Sequence, residues 1–288
     1  MEFSKVAVLG GGLLGGSLAL ALRDRIACAL WARRAETIDE ARAAGVSSAT
    51  SDLGQALDGA DLVILAVPVG AMPGLLRQAI GAGIAPGTLV TDVGSVKAAV
   101  HGELGPLVRE SGLSFIGGHP MAGSERTGFE AARGDLFDGS VCLLTDDESV
   151  GDPATTGLQE FWESLGCRVS WMDAGSHDAL VARISHLPHV MAAAAARVAM
   201  NPPELARFGG GGLRDTTRVA GGDPAMWAEI LMENAGALVG PLREARDELS
   251  EMLAMIERGD HQALRLWLER ARALHAEGCA IRENQRDD

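Results

Sequence analysis

Tyrosine is absent from the 288 residues, and lysine occurs only at Lys5 and Lys97. No phenol can serve as an acid or base, and amine chemistry has at most two positions. Cysteine is sparse as well. Cys28, Cys142, Cys167 and Cys279 stand far apart with no C-x-x-C pair, which excludes a zinc framework of that spacing and a disulfide-stapled fold, and fits packing thiols in a reducing compartment. Net positive charge is missing too. A formal charge of −14 and an isoelectric point near 4.9 argue against nucleic-acid partners, whose phosphates demand clustered cations. There is no uninterrupted apolar run of about 18 residues, and the first residues begin a strand pattern in place of a secretory leader. A cytoplasmic protein working on small molecules, with no membrane partner, is the expectation.

What remains is an ordinary globular composition, 47% hydrophobic and 22% charged, enough to bury a core over one large domain or two. Short β-rich runs alternate with helical stretches through the first half: Lys5 to Leu9, Ala27 to Ala32, Asp61 to Val67, Thr88 to Val93, Phe115 to Gly118 and Ser140 to Thr145, with Arg168 to Met172 closing the set. That rhythm predicts a parallel sheet with crossover helices. Runs such as Leu62 to Val67 lack alternation, as strands covered on both faces do. After Asp173 the period changes to three or four. One helix is predicted from Ser176 to Met200, a long one from Trp227 to Ile256 that Pro241 should kink or restart, and another from Gln262 to Ala276. The chain therefore reads as an α/β Rossmann-type parallel-sheet domain over residues 1–173, followed by an all-α domain over 174–288. Helices this long and apolar suggest a homodimer formed through the second domain.

Gly10-Gly11-Gly12-Leu13-Leu14-Gly15 fits G-x-G-x-x-G, directly after the first strand and opening the first helix. In that setting the motif is a dinucleotide-binding fingerprint. Gly10 permits the tight turn, Gly12 lets backbone approach the pyrophosphate at a helix N-terminus, and Gly15 lets helix and strand close up. Cofactor choice is read at the end of the second strand, where NAD enzymes usually place a carboxylate on the ribose. Here Ala32 holds that position, followed by Arg33 and Arg34. Two guanidinium groups favour a 2′-phosphate and hence NADP, with NAD possible if Glu36 takes the ribose. The expected cofactor contacts are Gly10, Gly12, Leu13, Leu14, Gly15, Ala32, Arg33, Arg34 and Thr37, with Val67 and Pro68 at the end of the third strand.

Four further segments occur in order: Asp92-Val93-Gly94-Ser95-Val96-Lys97, Gly117-Gly118-His119-Pro120-Met121-Ala122-Gly123, Ser185-His186-Leu187-Pro188-His189, and Arg214-Asp215-Thr216-Thr217-Arg218. Together with the glycine loop they resemble the prephenate/arogenate dehydrogenase family over nearly the whole chain. The resemblance implies oxidative decarboxylation of a cyclohexadienyl substrate in tyrosine biosynthesis, with His119 as the catalytic histidine and Ser95 bonding the reacting hydroxyl or the imidazole. Ser95 also reads as a helix N-cap, and Lys97 as a solvated first-turn residue. By the same resemblance Arg218 clamps a substrate carboxylate, a role suited to a planar guanidinium. His186 and His189 face the cleft, and Trp227 is either a pocket residue or a core one. No third ligand accompanies the two histidines, so no metal is expected.

The choice between the two substrates turns on one ammonium. Glu125, following Ser124, is placed to meet the ammonium of arogenate, whereas a partly protonated His189 repels it, which tips the reading toward prephenate. Relative to the wider family there is no long helical segment before the glycine loop, and only about a dozen residues follow Ala276. Feedback by tyrosine is therefore expected at the active site. A dehydrogenase of the β-hydroxyacid type is the competing enzyme reading, but it would rely on a lysine in the helical half, where none occurs. A nucleotide-sensing protein without chemistry would have no use for His119 and Arg218.

Overall fold

The computed structural model describes residues 3–124 and 126–287. Its first strand, β1 (Lys5–Leu9), runs into α1 (Leu13–Leu22), then β2 (Ala27–Trp31), α2 (Ala35–Ala43) and α3 (Leu53–Leu57). The chain continues through β3 (Leu62–Leu65), α4 (Met72–Gly81), β4 (Leu89–Asp92), α5 (Ala98–Glu110) and β5 (Ser114–Pro120). These strands lie in the order β2-β1-β3-β4-β5, all parallel. Alternation along each strand sends side chains into two cores. Val6, Val8, Leu62 and Ile64 pack on one side of the sheet, and Ala7, Leu9, Val63 and Leu65 on the other, so the apolar runs without alternation have a layer on each face.

Two more strands extend the sheet, β6 (Val141–Thr145) and β7 (Arg168–Trp171), joined by α6 (Ala154–Ser164). One expectation fails here. β6 runs antiparallel to β5, with Pro120 opposite Cys142, because the intervening segment contains no crossover helix to return the chain to the other end of the sheet. Among its described residues the one helical element is the 3-10 turn Phe129–Ala131. That segment leaves from the C-terminal edge of the parallel strands, the edge where open α/β sheets bind ligands, runs beside α1 through Arg133 and Gly134, and enters β6 opposite the end of β5.

The change from sheet to helix falls at Asp173, whose carboxylate accepts from Ser176 N at 2.8 Å and caps α7 (Ala174–Val181). A π-helical turn, Ala182–His186, joins α7 to α8 (Leu187–Ala199). The run Ala174–Ala199 is 26 residues and contains an 18-residue stretch of mean hydropathy 1.2, long and apolar enough to cross a membrane by length and composition alone. Its first turns nevertheless carry His177 and Asp178, which are bonded into the sheet end. Next come α9 (Gly211–Thr217) and α10 (Pro224–Glu233).

The chain divides into two compact units, Met1–Ala235 and Gly236–Asp288. The second consists of α11 (Ala235–Glu257) beyond its first residue and α12 (His261–Asp287). Pro241 lies inside α11 and does not restart it. The break expected there comes earlier, at Asn234, which leaves helical geometry at the end of α10 and puts its side chain to use elsewhere. α12 outruns the expected end at Ala276, since no proline follows to stop it. Trp267 Nε1 donates to Glu248 Oε2 at 2.7 Å, tying α12 to α11.

Candidate active site

A cavity of about 590 Å³ opens at the C-terminal ends of β1, β2 and β3, where the chain order reverses across the sheet. Gly10, Gly11 and Gly12 form its floor. Gly10 has φ +130°, and a Cβ there would stand 2.2 Å from Ala66 O; a Cβ on Gly15 would stand 1.8 Å from Gly10 O. Glycine is thus forced at both positions by backbone contact. At Gly12 the space within 4 Å is open. Gly12 also starts α1 without a side-chain cap, so the first amides of that helix face the opening, an arrangement suited to an anion. Leu13 and Leu14 pack against the sheet core and stand outside the cavity lining. Ala32, Arg33, Arg34, Thr37, Val67 and Pro68 line it, whereas Glu36 does not. The carboxylates in the lining are Glu40 and Glu130. A dinucleotide fits this cradle, with its pyrophosphate over Gly12 and its adenosine ribose toward the arginines.

A second group of side chains gathers beyond β4 and β5. His119 stands near the end of β5, 8% exposed. Its Nδ1 lies 2.9 Å from His177 Nε2, and His177 Nδ1 lies 2.8 Å from Asp178 Oδ1. Asp178 accepts from Lys97 N at 2.7 Å and Ala98 N at 3.0 Å, capping α5 from a distant helix. This overturns the N-cap reading of Ser95. The N-cap residue is Lys97, with no side-chain cap bond, and Ser95 is half-buried in the turn before it. Lys97 is likewise not solvated. It is 0% exposed and its Nζ is paired with Asp92 Oδ2; the other Asp92 oxygen accepts from Gly118 N at 3.1 Å. A charge so buried persists only with a partner.

Burial holds His119 well below the usual imidazole range, helped by repulsion from His177, Lys97 and His186. His119 is therefore neutral at pH 7 and able to accept a proton. Burial pushes Asp178 up, but hydrogen bonds from His177, Lys97 and Ala98 outweigh it and leave the carboxyl below its ordinary value.

Asn234 joins a third group to these. Its Nδ2 donates to Asp178 O at 2.8 Å and lies 3.1 Å from His186 Nδ1. Trp227 stacks on His189 with centroids 3.5 Å apart and meets His186 edge-on at 6.2 Å. His186 Nε2 and His189 Nδ1 are buried without a hydrogen-bond partner, so both rings keep polar capacity in reserve for something that enters.

Residues 18–171 match the family described as prephenate dehydrogenase, nucleotide-binding domain, and residues 173–270 match the prephenate dehydrogenase dimerization domain. The chain belongs to the prephenate dehydrogenase family. A cyclohexadienyl dehydrogenase of Zymomonas mobilis is 32% identical, over 90% of each chain. The crystal structure of prephenate dehydrogenase from A. aeolicus, in complex with hydroxyphenyl propionate and NAD+, superposes with a TM-score of 0.87 at 28% identity, covering 96% of this chain and 99% of that one. Arogenate dehydrogenase of Synechocystis gives a TM-score of 0.78 at 30% identity, covering 95% and 99%.

The structure brings His119, His186, His189 and Trp227 into one cluster. Ser124 is exposed, its Oγ engaged with Arg126 N at 3.2 Å in a local turn. Glu125 lies outside the described residues. Arg218 begins the turn Arg218–Gly221, exposed and packed beside α8. Arg214 and Asp215 pair with each other at 3.0 Å. The charge assigned to His189 needs correction. Burial lowers its pKa, so it is neutral at pH 7, and the electrostatic ground for preferring prephenate over arogenate disappears. Sequence reasoning missed His177, Asp178 and Asn234 altogether. Their signal was a His-Asp pair and a lone Asn in otherwise apolar helices, since buried polar side chains are rare unless bonded.

Proposed function

We propose that the protein is an NADP-dependent dehydrogenase that oxidatively decarboxylates prephenate, arogenate or both, as a step in making tyrosine. The observation that carries this is a neutral, buried His119 at the ligand edge of the sheet, bonded to His177. On this reading His119 accepts the proton of the ring hydroxyl as that carbon is oxidised. A bound nicotinamide supplies the hydride acceptor. Carbon dioxide leaves from the opposite ring carbon, and aromatisation drives the reaction. Ser95 keeps the hydroxyl in line with the imidazole, Arg218 holds a carboxylate of the substrate, and the stacked His189 and Trp227 wall the pocket. Residues 1–173 bind the dinucleotide, residues 174–288 complete the substrate site, and the setting is the cytoplasm.

The cofactor preference rests on Arg33 and Arg34 in the cavity lining and on the absence of Glu36 from it. Each charge-assisted bond to a 2′-phosphate is worth about 1.5–3 kcal/mol, or roughly tenfold or more in affinity. The test is a grid of initial rates with prephenate and arogenate, each with NAD and NADP. NADP should win in the wild type. Arg33→Ala and Arg34→Ala should each lower the NADP/NAD ratio of kcat/KM about tenfold, and an unchanged ratio would sink the assignment. With His189 neutral, both substrates should turn over. Silence in all four cells from protein that still binds NADP would end the functional reading.

A homodimer through the helical domain is part of the proposal. Val198, Phe208 and Met232 are 75–79% exposed in the first unit, and Leu253, Ile256, Leu268 and Leu274 are exposed in the second, apolar side chains that a partner subunit would cover. Sedimentation should give twice 29.9 kDa; a monomer at micromolar concentration would contradict it.

A further inference from the structure

We infer that His177 and Asp178 form a positioning pair that fixes the tautomer of His119 and stabilises the charge it acquires. This rests on the proposed dehydrogenase reading. The chain of reasoning starts at the carboxylate. Asp178 is acceptor-only and is anchored by two backbone amides of α5, Lys97 N and Ala98 N. Because Asp178 accepts, His177 Nδ1, 2.8 Å away, must carry the proton. A neutral His177 then has its lone pair on Nε2. Since that atom lies 2.9 Å from His119 Nδ1, His119 must donate from Nδ1, which leaves the lone pair on Nε2, the nitrogen free to face a substrate.

One buried carboxylate therefore dictates the protonation of two imidazoles in series. The same order Asp178, His177, His119 lets the negative charge act on the imidazolium formed when His119 takes the substrate's proton, as an orienting carboxylate does behind a catalytic histidine. The device also crosses from helix to sheet, because His177 and Asp178 lie on α7 and His119 on β5. Charged and titratable groups facing His119 from its other neighbours are Lys97 and Asp92 at the β4–α5 link, Cys142 on β6 and His186 in the π turn. Lys97 is paired with Asp92 but still repels a charged His119, and burial keeps the Cys142 thiol protonated. Among the described residues, Asp178 is the carboxylate that reaches His119 through a chain of hydrogen bonds.

Three variants and one spectrum test this. Asp178→Asn should lower kcat about a hundredfold or more. It should also move the acid limb of kcat/KM to lower pH by about half a unit or more, because losing the carboxylate disfavours the imidazolium. His177→Leu should do the same, whereas His177→Gln, whose carbonyl can still accept from His119 Nδ1, should recover at least about tenfold of the lost kcat. NADP titration of each variant checks that the fold is intact. A fall in kcat with the acid limb unmoved and no rescue by Gln would reduce the pair to a structural contact and overturn the inference. Long-range 1H–15N spectra of the unliganded protein supply a readout independent of substrate. His119 should be the Nδ1–H tautomer, and an Nε2–H tautomer would overturn the inference even if the rate grid succeeds. If that grid is silent, the spectrum still decides the tautomer.

Discussion

His119 is prepared for its work by its neighbours. Burial removes its charge, His177 engages one ring nitrogen, and the residue sits near the C-terminal end of β5. Replacing it with Asn should cut kcat about 10²- to 10⁴-fold, the usual worth of a positioned general base, while the Kd for NADP stays within about twofold. A comparable loss of cofactor affinity would assign His119 to binding instead. Much of this site was legible in the residues: the glycine loop, the arginines after β2 and the histidines of the later motifs all end beside a cavity or a cluster. The cap offered at Ser95 and the solvent exposure expected of Lys97 were misread for a physical reason. A motif gives spacing along the chain, but capping and burial depend on which distant group arrives, and the cap of α5 arrives from Asp178, about eighty residues on.

At the scale of elements, the Asp92–Lys97 pair locks the end of β4 to the start of α5 and to Gly118 in β5. Lys97→Met leaves a buried carboxylate uncompensated and should cost about 3–5 kcal/mol in urea unfolding. Adding Asp92→Leu should not restore stability, because Gly94 N and Gly118 N lose their acceptor together; full recovery in the double variant would show the pair to be a plain charge pair. The identity of β1 to β5 followed from apolar runs and glycine punctuation; their order across the sheet is a finding of the structure. The reversed direction of β6 did not, since its sequence is equally apolar either way up and only the missing crossover helix tells. Pro241 carried a break signal that the helix absorbs, whereas Asn234, with no such signal, marks the true break because its side chain is worth more bonded to Asp178 and His186.

For the whole molecule, the buried histidines set an acid limit. Burial lowers His186 from 6.5 to about 4, and His119 and His189 are lowered as well. Between those values the unfolded chain binds protons that the native state refuses, so stability is whole above about pH 6.5 and is lost as pH falls toward 4. Asp178, depressed in the folded state, adds a second loss below the ordinary carboxylate range. Calorimetry should show Tm falling steadily from pH 7 to 4.5, and a flat Tm over that interval would mean that the cluster is open to water and protonates freely in the native protein.

The π-helical turn at Ala182–His186 has a consequence for how this chain tolerates insertions and deletions. Such a turn is an α-helix carrying one surplus residue, and each residue of an α-helix turns the chain by about 100°. Deleting a single codon among positions 182–185 would leave an uninterrupted, sound helix. The wide turn spends five residues on about the rotation that four complete in an α-helix, so the His189 face would keep its phase on the His177 and Asp178 face. Loss of a second residue would swing that face by about 100° and separate the histidine stacked on Trp227 from the pair behind the base, so this stretch should absorb a change of one residue and no more.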